Sequence, residues 1–168
     1  MDNPPAGPDP EELARRALAK IRLLGAQIGI TPDPTGSGAV GLPVWLWTAV
    51  TPNTWGPVSA SESAGGITVT ITAQAEQIMW SMGDGGSVPC ANPGTPYEDR
   101  YGKAMSPTCG YRYTRPSVTA ANTNGRYTIV ATTQWRVDWA GGGETGVLRP
   151  TSQSQTSVRI GEIPVVTR

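Results

Sequence analysis

Apolar positions recur along this chain in two different periods. Between Asp9 and Gly25, the residues Leu13, Ala14, Ala17, Leu18, Ile21 and Leu24 fall on one face at helical spacing, and Arg15, Arg16, Lys20 and Arg22 cover the rest. Asp9 suits the N-cap and Pro10 the first helical position, while Glu12 completes an Asp-x-x-Glu capping box and Gly25 can close the helix at C′. The pattern predicts an amphipathic helix over 9–25 that must dock on another element. Residues 1–8, with three prolines and a glycine, read as a linker.

After a turn-rich connector from Thr31 to Gly41 the period becomes two. Between Leu42 and Val50 one face carries Leu42, Val44, Leu46, Thr48 and Val50 and the other Pro43, Trp45, Trp47 and Ala49, so a strand covered on both sides is expected. From Ile67 to Ala75 isoleucine, valine and alanine alternate strictly with threonine and glutamine, the signature of a half-buried antiparallel strand. Ile78, Trp80 and Met82 share a face and lead into a turn at Gly83, Asp84 and Gly85. A short strand is expected through Tyr111 and Tyr113. The longest runs from Arg126 to Trp139, with Gly146 to Ile160 as its hairpin partner and a last short strand at Val165 and Val166. Six to eight antiparallel strands after one helix predict a mainly β protein. Its fold class would be an antiparallel immunoglobulin-like β-sandwich over 38–168 with one N-terminal amphipathic helix.

Composition narrows the function classes. The 168 residues carry 13 basic and 13 acidic side chains, a balance that argues against nucleic acid or an anionic membrane surface as partner. There is no histidine, which removes Ser-His-Asp triads, Cys-His dyads and imidazole zinc sites together. No stretch reaches the ~18 apolar residues of a membrane helix, so no membrane insertion of this segment is expected. The N-terminus lacks a basic-then-apolar leader and reads as a start methionine before a linker, as if an upstream region had been trimmed.

Cys90 and Cys109 each stand beside a turn. Paired, they would close a loop poor in apolar anchors and contribute ~3 kcal/mol, with an extracytoplasmic location following from the bond. The alternative is two separate buried thiols in a reducing compartment.

The segment Ile78-Met79-Trp80-Ser81-Met82-Gly83-Asp84-Gly85 resembles the Trp-Asp-Phe-Gly-Asp-Gly signature of PKD-type domains. Tyr111-Arg112-Tyr113-Thr114 and Gly125-Arg126-Tyr127-Thr128-Ile129-Val130 stand where that family has its Tyr-rich and Gly-x-Tyr-Thr-Val strands. Ser81 and Met82 depart from the signature, and a cysteine-bounded loop is inserted. Over nearly its full length the chain is also similar to the C-terminal region of actinobacterial envelope proteins often labelled "ATP/GTP-binding protein", through Leu42-Pro43-Val44-Trp45-Leu46-Trp47, Pro93-Gly94-Thr95-Pro96-Tyr97, Ser106-Pro107-Thr108-Cys109-Gly110 and Val158-Arg159-Ile160-Gly161-Glu162. That resemblance implies a secreted or envelope-held protein of a surface or secretion-associated assembly. The nucleotide label has no residue support. The nearest approach to a P-loop, Gly94 to Gly102-Lys103-Ala104, has the wrong spacing, lacks the metal-binding hydroxyl and precedes no helix.

Candidate binding residues are aromatic. Trp45 and Trp47 point the same way from one strand and would either stack on sugar rings or lie beneath the Leu13, Ala17, Ile21 stripe of the helix, the second being favoured. Trp55 lies in a Pro/Gly-rich loop and is either an interaction hot spot or edge packing. Asp84, Glu98 and Asp99 lack the spacing of a calcium loop, and neither Glu76 with Asp84 nor Glu98 with Asp99 is placed across a cleft for glycoside hydrolysis. No catalytic residue, metal or cofactor is expected. The function expected is a non-catalytic extracellular interaction or structural module with a protein partner, the alternative being a cell-wall polysaccharide-binding module using Trp45, Trp47 and Trp55.

Overall fold

The computed structural model describes residues 7–120 and 124–162. Most of the 1–8 linker and the short strand expected at Val165 and Val166 lie outside the described residues. The described residues are mainly β, with one α-helix and two sheets. Helix α1 (Pro10–Lys20) is followed by β1 (Ile28–Thr31), β2 (Ser37–Ala39), β3 (Pro43–Thr48), β4 (Val58–Ala64) and β5 (Ile67–Ser81). The chain continues through β6 (Ser87–Cys90), β7 (Gly110–Arg112), β8 (Tyr127–Gly141), β9 (Glu144–Leu148) and β10 (Thr151–Gly161). The smaller sheet has the order β1-β3-β7; the larger runs β2-β10-β8-β5-β4, with β6 also paired to β5 and β9 to β8. All these pairings are antiparallel except β2 with β10, which is parallel because the chain leaves the small sheet after β1 and crosses to the end of the large one.

The two 15-residue strands β5 and β8 organise the molecule. On β8 every odd position from Tyr127 to Trp139 is buried, giving one continuous apolar face. β5 buries odd positions as far as Ala75 and even positions from Ile78 onward. The register slips between Ala75 and Gln77, and this β-bulge keeps both runs on the same side of the sheet. At ~3.4 Å per residue these strands reach ~50 Å, far more than a partner sheet of three- to six-residue strands can cover.

Two different elements therefore cover one face. Beside Ile78, Trp80, Met82, Tyr127, Ile129 and Ala131 lies the small sheet, contributing Ile30, Val44 and Leu46. Beside Val69, Ile71, Ala73, Trp135, Val137 and Trp139 lies α1, contributing Leu13, Ala14 and Ala17.

The helix starts as its sequence dictates, with the Asp9 carboxylate accepting the Glu11 N–H at 3.1 Å. The capping box is not closed, because Glu12 pairs instead with Arg16 one turn along, at 2.9 Å. It ends at Lys20, not at Gly25. Ile21 is extended, and the next residues join the 51–55 turn, with Leu24 N–H donating to Asn53 O at 2.9 Å and Asn53 Nδ2 to Arg22 O at 2.8 Å. Gly25 serves close approach to β10: a β-carbon there would collide with the Gln153 carbonyl. Lys20 reaches β4, meeting Glu62 at 2.8 Å and the Ser61 carbonyl at 3.2 Å, and so covers part of an exposed sheet edge.

Candidate functional site

The feature that distinguishes this surface is the segment between Cys90 and Cys109. The two cysteines form a disulfide with Cα atoms 5.9 Å apart, and both are buried. Cys90 ends β6 and Cys109 lies opposite Leu46 of β3, accepting its N–H at 3.1 Å, so the bond ties the large sheet to the small one. Between these anchors the loop folds back over the outer face of β3.

Trp45 is the post on which it rests. On β3, Val44, Leu46 and Thr48 turn into the core while Trp45 and Trp47 turn outward. Tyr101 stacks on the Trp45 indole at 5.0 Å and 23°, and Tyr97 meets it edge-on at 5.2 Å. The indole N–H donates to Ala104 O at 2.8 Å, and only 2% of the residue remains exposed. Trp47 is half-buried. It lies across Gly29 of β1, where a β-carbon would strike the indole, and its backbone bridges to Gly94. Gly94 has φ +84°, and its Cα sits so close to Leu46 and Trp47 that any side chain would collide with their backbone.

The loop's polar groups are largely spent inside it. Asn92 accepts from Gly94 N at 2.8 Å, Thr95 and Thr108 share a hydroxyl bond of 2.7 Å, and Tyr97 donates to Gly102 O at 2.8 Å. Ser106 Oγ accepts from Cys109 N at 3.1 Å, and Thr48 N donates to Pro93 O at 2.8 Å. What stands free is the tip: Pro96, Glu98, Asp99, Arg100, Lys103 and Met105 are exposed. Arg100 pairs with Glu98 at 2.6 Å and lies over the Tyr101 ring at 4.8 Å.

This arrangement corrects two expectations. The α1 stripe does not cover Trp45 and Trp47; it covers the far half of the large sheet, which would otherwise expose Val69, Ile71 and Trp135. A sugar platform made of Trp45 and Trp47 is not formed either, because Tyr97 and Tyr101 already occupy the faces of Trp45. Trp55 sits half-buried at the seam between the two halves of the core and touches both. Its carbonyl accepts Ala75 N–H and Gln74 Nε2 at 2.8 Å each, just beside the bulge of β5. Tyr97 and Tyr101 were not singled out by sequence reasoning. The available signal was that they are the only aromatic residues within a Pro/Gly-rich, disulfide-closed loop.

The remaining candidates are structural or separate. Gly83 and Gly85 take positive φ in the turn, where Asp84 accepts Gly86 N at 2.8 Å and the Tyr111 hydroxyl at 2.6 Å. Glu76 pairs with Arg149 at 2.7 Å, whereas Asp84 is taken up by Gly86 and Tyr111. Among the described residues, no three His, Cys, Asp or Glu side chains converge to hold a metal ion, and no helix is long and apolar enough to cross a membrane.

The turn carries a pH-sensitive group. Burial, and then the hydrogen bond to Asp84, push the Tyr111 phenol up to about 12, and burial pushes Tyr113 higher still. Tyr113 stacks on Tyr127 at 4.4 Å and donates to Met82 O at 2.7 Å. A raised phenol pKa favours folding while the phenol stays protonated. The contribution is therefore complete below the unfolded value of ~10 and is lost as pH rises through about 12. Alkaline titration followed by phenolate absorbance and circular dichroism is expected to show Tyr111 and Tyr113 ionising only as the fold loosens, with part of that step absent in Tyr111→Phe. Ionisation of every tyrosine near pH ~10 with the fold intact would contradict this.

Comparison with protein-family models, with curated proteins and with solved structures found no match.

Proposed function

We propose that this chain is a non-catalytic recognition or structural module of an extracytoplasmic assembly at the cell surface or of a secretion system. It engages a protein partner through the tip of the Cys90–Cys109 loop, on an immunoglobulin-like, PKD-type β-sandwich framework. The observation that carries the reading is the clamping of the loop: a disulfide, the Trp45–Tyr97–Tyr101 cluster and internal hydrogen bonds hold it before any partner arrives. A surface ordered in advance avoids the entropic cost of ordering on binding, which is where much association energy is otherwise lost. Its tip offers both charge signs together with Pro96 and Met105, a mixture suited to protein surfaces and poor for polyanions. The disulfide supports an oxidising compartment.

A photo-activatable residue placed at Pro96 or Lys103, in cells that make the protein, tests this. Discrete cross-linked protein adducts are expected from these positions and not from Thr72 on the polar face of the large sheet. Adducts of equal yield from Thr72, or none from the loop while the oxidised protein is retained on purified cell-wall polysaccharide, would overturn the reading in favour of the glycan alternative.

A further inference from the structure

Where β1 ends at Thr31 the chain abandons the small sheet, and β2 reappears on the large one. The start of β3 is thereby left without a neighbour on that side. The gap is a cavity of about 310 Å³, roofed by the disulfide loop. Pro32, Leu42, Pro43, Val44, Trp45 and Tyr97 give it mostly apolar walls. Tyr97 is held in place because its hydroxyl is committed to Gly102 O, and Trp45, whose indole N–H is committed to Ala104 O, lines the cavity from an almost fully buried position.

The polar side chains lining the cavity are Thr31, Ser37 and Lys103. Thr31 Oγ1 accepts from Trp45 N at 3.3 Å, which leaves its own proton to give. Among the described residues, Ser37 and Lys103 have no side-chain partner and no carboxylate lines the cavity. Three donors facing an apolar space with no acidic side chain complement a ligand that is hydrocarbon at one end and anionic at the other. The groove on the polar face of the large sheet lacks this character, because Arg136 there already holds Asp138 at 3.1 Å.

We propose that this cavity binds an apolar carboxylate, with its hydrocarbon part against Leu42, Pro43 and Tyr97 and its carboxylate at Lys103 and the two hydroxyls. The chemistry is shared by a free aryl- or alkyl-carboxylic acid and by the C-terminus of a chain ending in a large apolar residue. Nothing in it depends on the loop tip engaging a protein, so the two proposals fail separately.

The test is titration of the oxidised protein, observed through its backbone amide NMR signals. The probes are 3-phenylpropionate, 3-phenylpropionamide, and the peptide Gly-Gly-Val-Phe with a free or an amidated C-terminus. Saturable shifts are expected at Ser37, Gly38, Leu42, Lys103 and Ala104 for at least one acid, with its amide ~10-fold weaker. Which acid binds identifies the source. Lys103→Glu is expected to lose binding and Lys103→Arg to keep it. Lys103 is exposed and, among the described residues, unpaired, so both variants should retain the parent spectrum elsewhere. Equal binding of acid and amide, unchanged binding by Lys103→Glu, or no saturable shift at these residues would overturn the proposal.

Discussion

Trp45→Ala is expected to destabilise the protein by ~3–5 kcal/mol, the cost of emptying a buried aromatic site. The loss should not be confined to β3. Tyr97 and Tyr101 would keep only each other as ring partners and Ala104 O would lose its donor, so the loop from Gly94 to Met105 should become mobile while the half of the core beneath α1 keeps its order. Chemical denaturation gives the first quantity, and amide exchange resolved by residue gives the second. The substitution also separates two roles for a surface-strand tryptophan. A sugar-stacking residue removed from a solvent-exposed platform costs affinity and leaves stability within ~0.5 kcal/mol. A loss of stability near zero would place Trp45 outside the structural role assigned to it.

Reduction, or the double replacement Cys90→Ser with Cys109→Ser, is expected to cost ~3 kcal/mol, the loop-closure value for a bridge of this span. The two cysteines are 19 positions apart, and the bond ties the end of β6 to the residue that precedes β7 and accepts the Leu46 N–H. Their loss frees the loop from the large sheet, while Trp45 still grips it from the small one. The bridge and the Trp45 cluster restrain the same segment, so their effects should not add. The triple variant is expected to lie ~1 kcal/mol or more above the sum in stability, as for residues sharing one network. Strict additivity would mean that the two anchors restrain different parts of the chain.

Much of the framework is legible in the sequence because the large sheet obeys period two. The odd run from Ile67 to Ala75 and the even run Ile78, Trp80 and Met82 can both be read directly, and together they require the register slip found between Ala75 and Gln77. The odd face from Tyr127 to Trp139 is equally direct. β4 escapes notice because Val58-Ser59-Ala60-Ser61-Glu62-Ser63-Ala64 has little apolar mass; it is held by hydroxyl pairs such as Ser61 with Thr70 at 2.9 Å, and by Lys20 from the helix. β1 and β2 are short and lie among Gly and Pro, where local pattern is silent and pairing with β3 and β10 decides.

The site was less legible for a different reason. Two apolar surfaces without evident partners, the helix stripe and the Trp45–Trp47 face, suggest each other when only local pattern is available. Their true partners are set by reach. Fifteen-residue strands overrun the small sheet and need the helix at their far end, whereas the Trp face is met by two tyrosines from a loop with no periodicity. Trp55 belongs to neither surface and closes the seam between the two halves of the core.

Recognition through the loop requires it to be ordered in the free protein, and backbone ¹⁵N relaxation of the oxidised chain measures that directly. Order parameters for residues 94–104 are expected near the ~0.85 of the β5 and β8 amides, with Gly102 and Lys103 at the tip only modestly lower. Values below ~0.6 across the segment would describe a flexible tether and would contradict a recognition surface built in advance on Trp45.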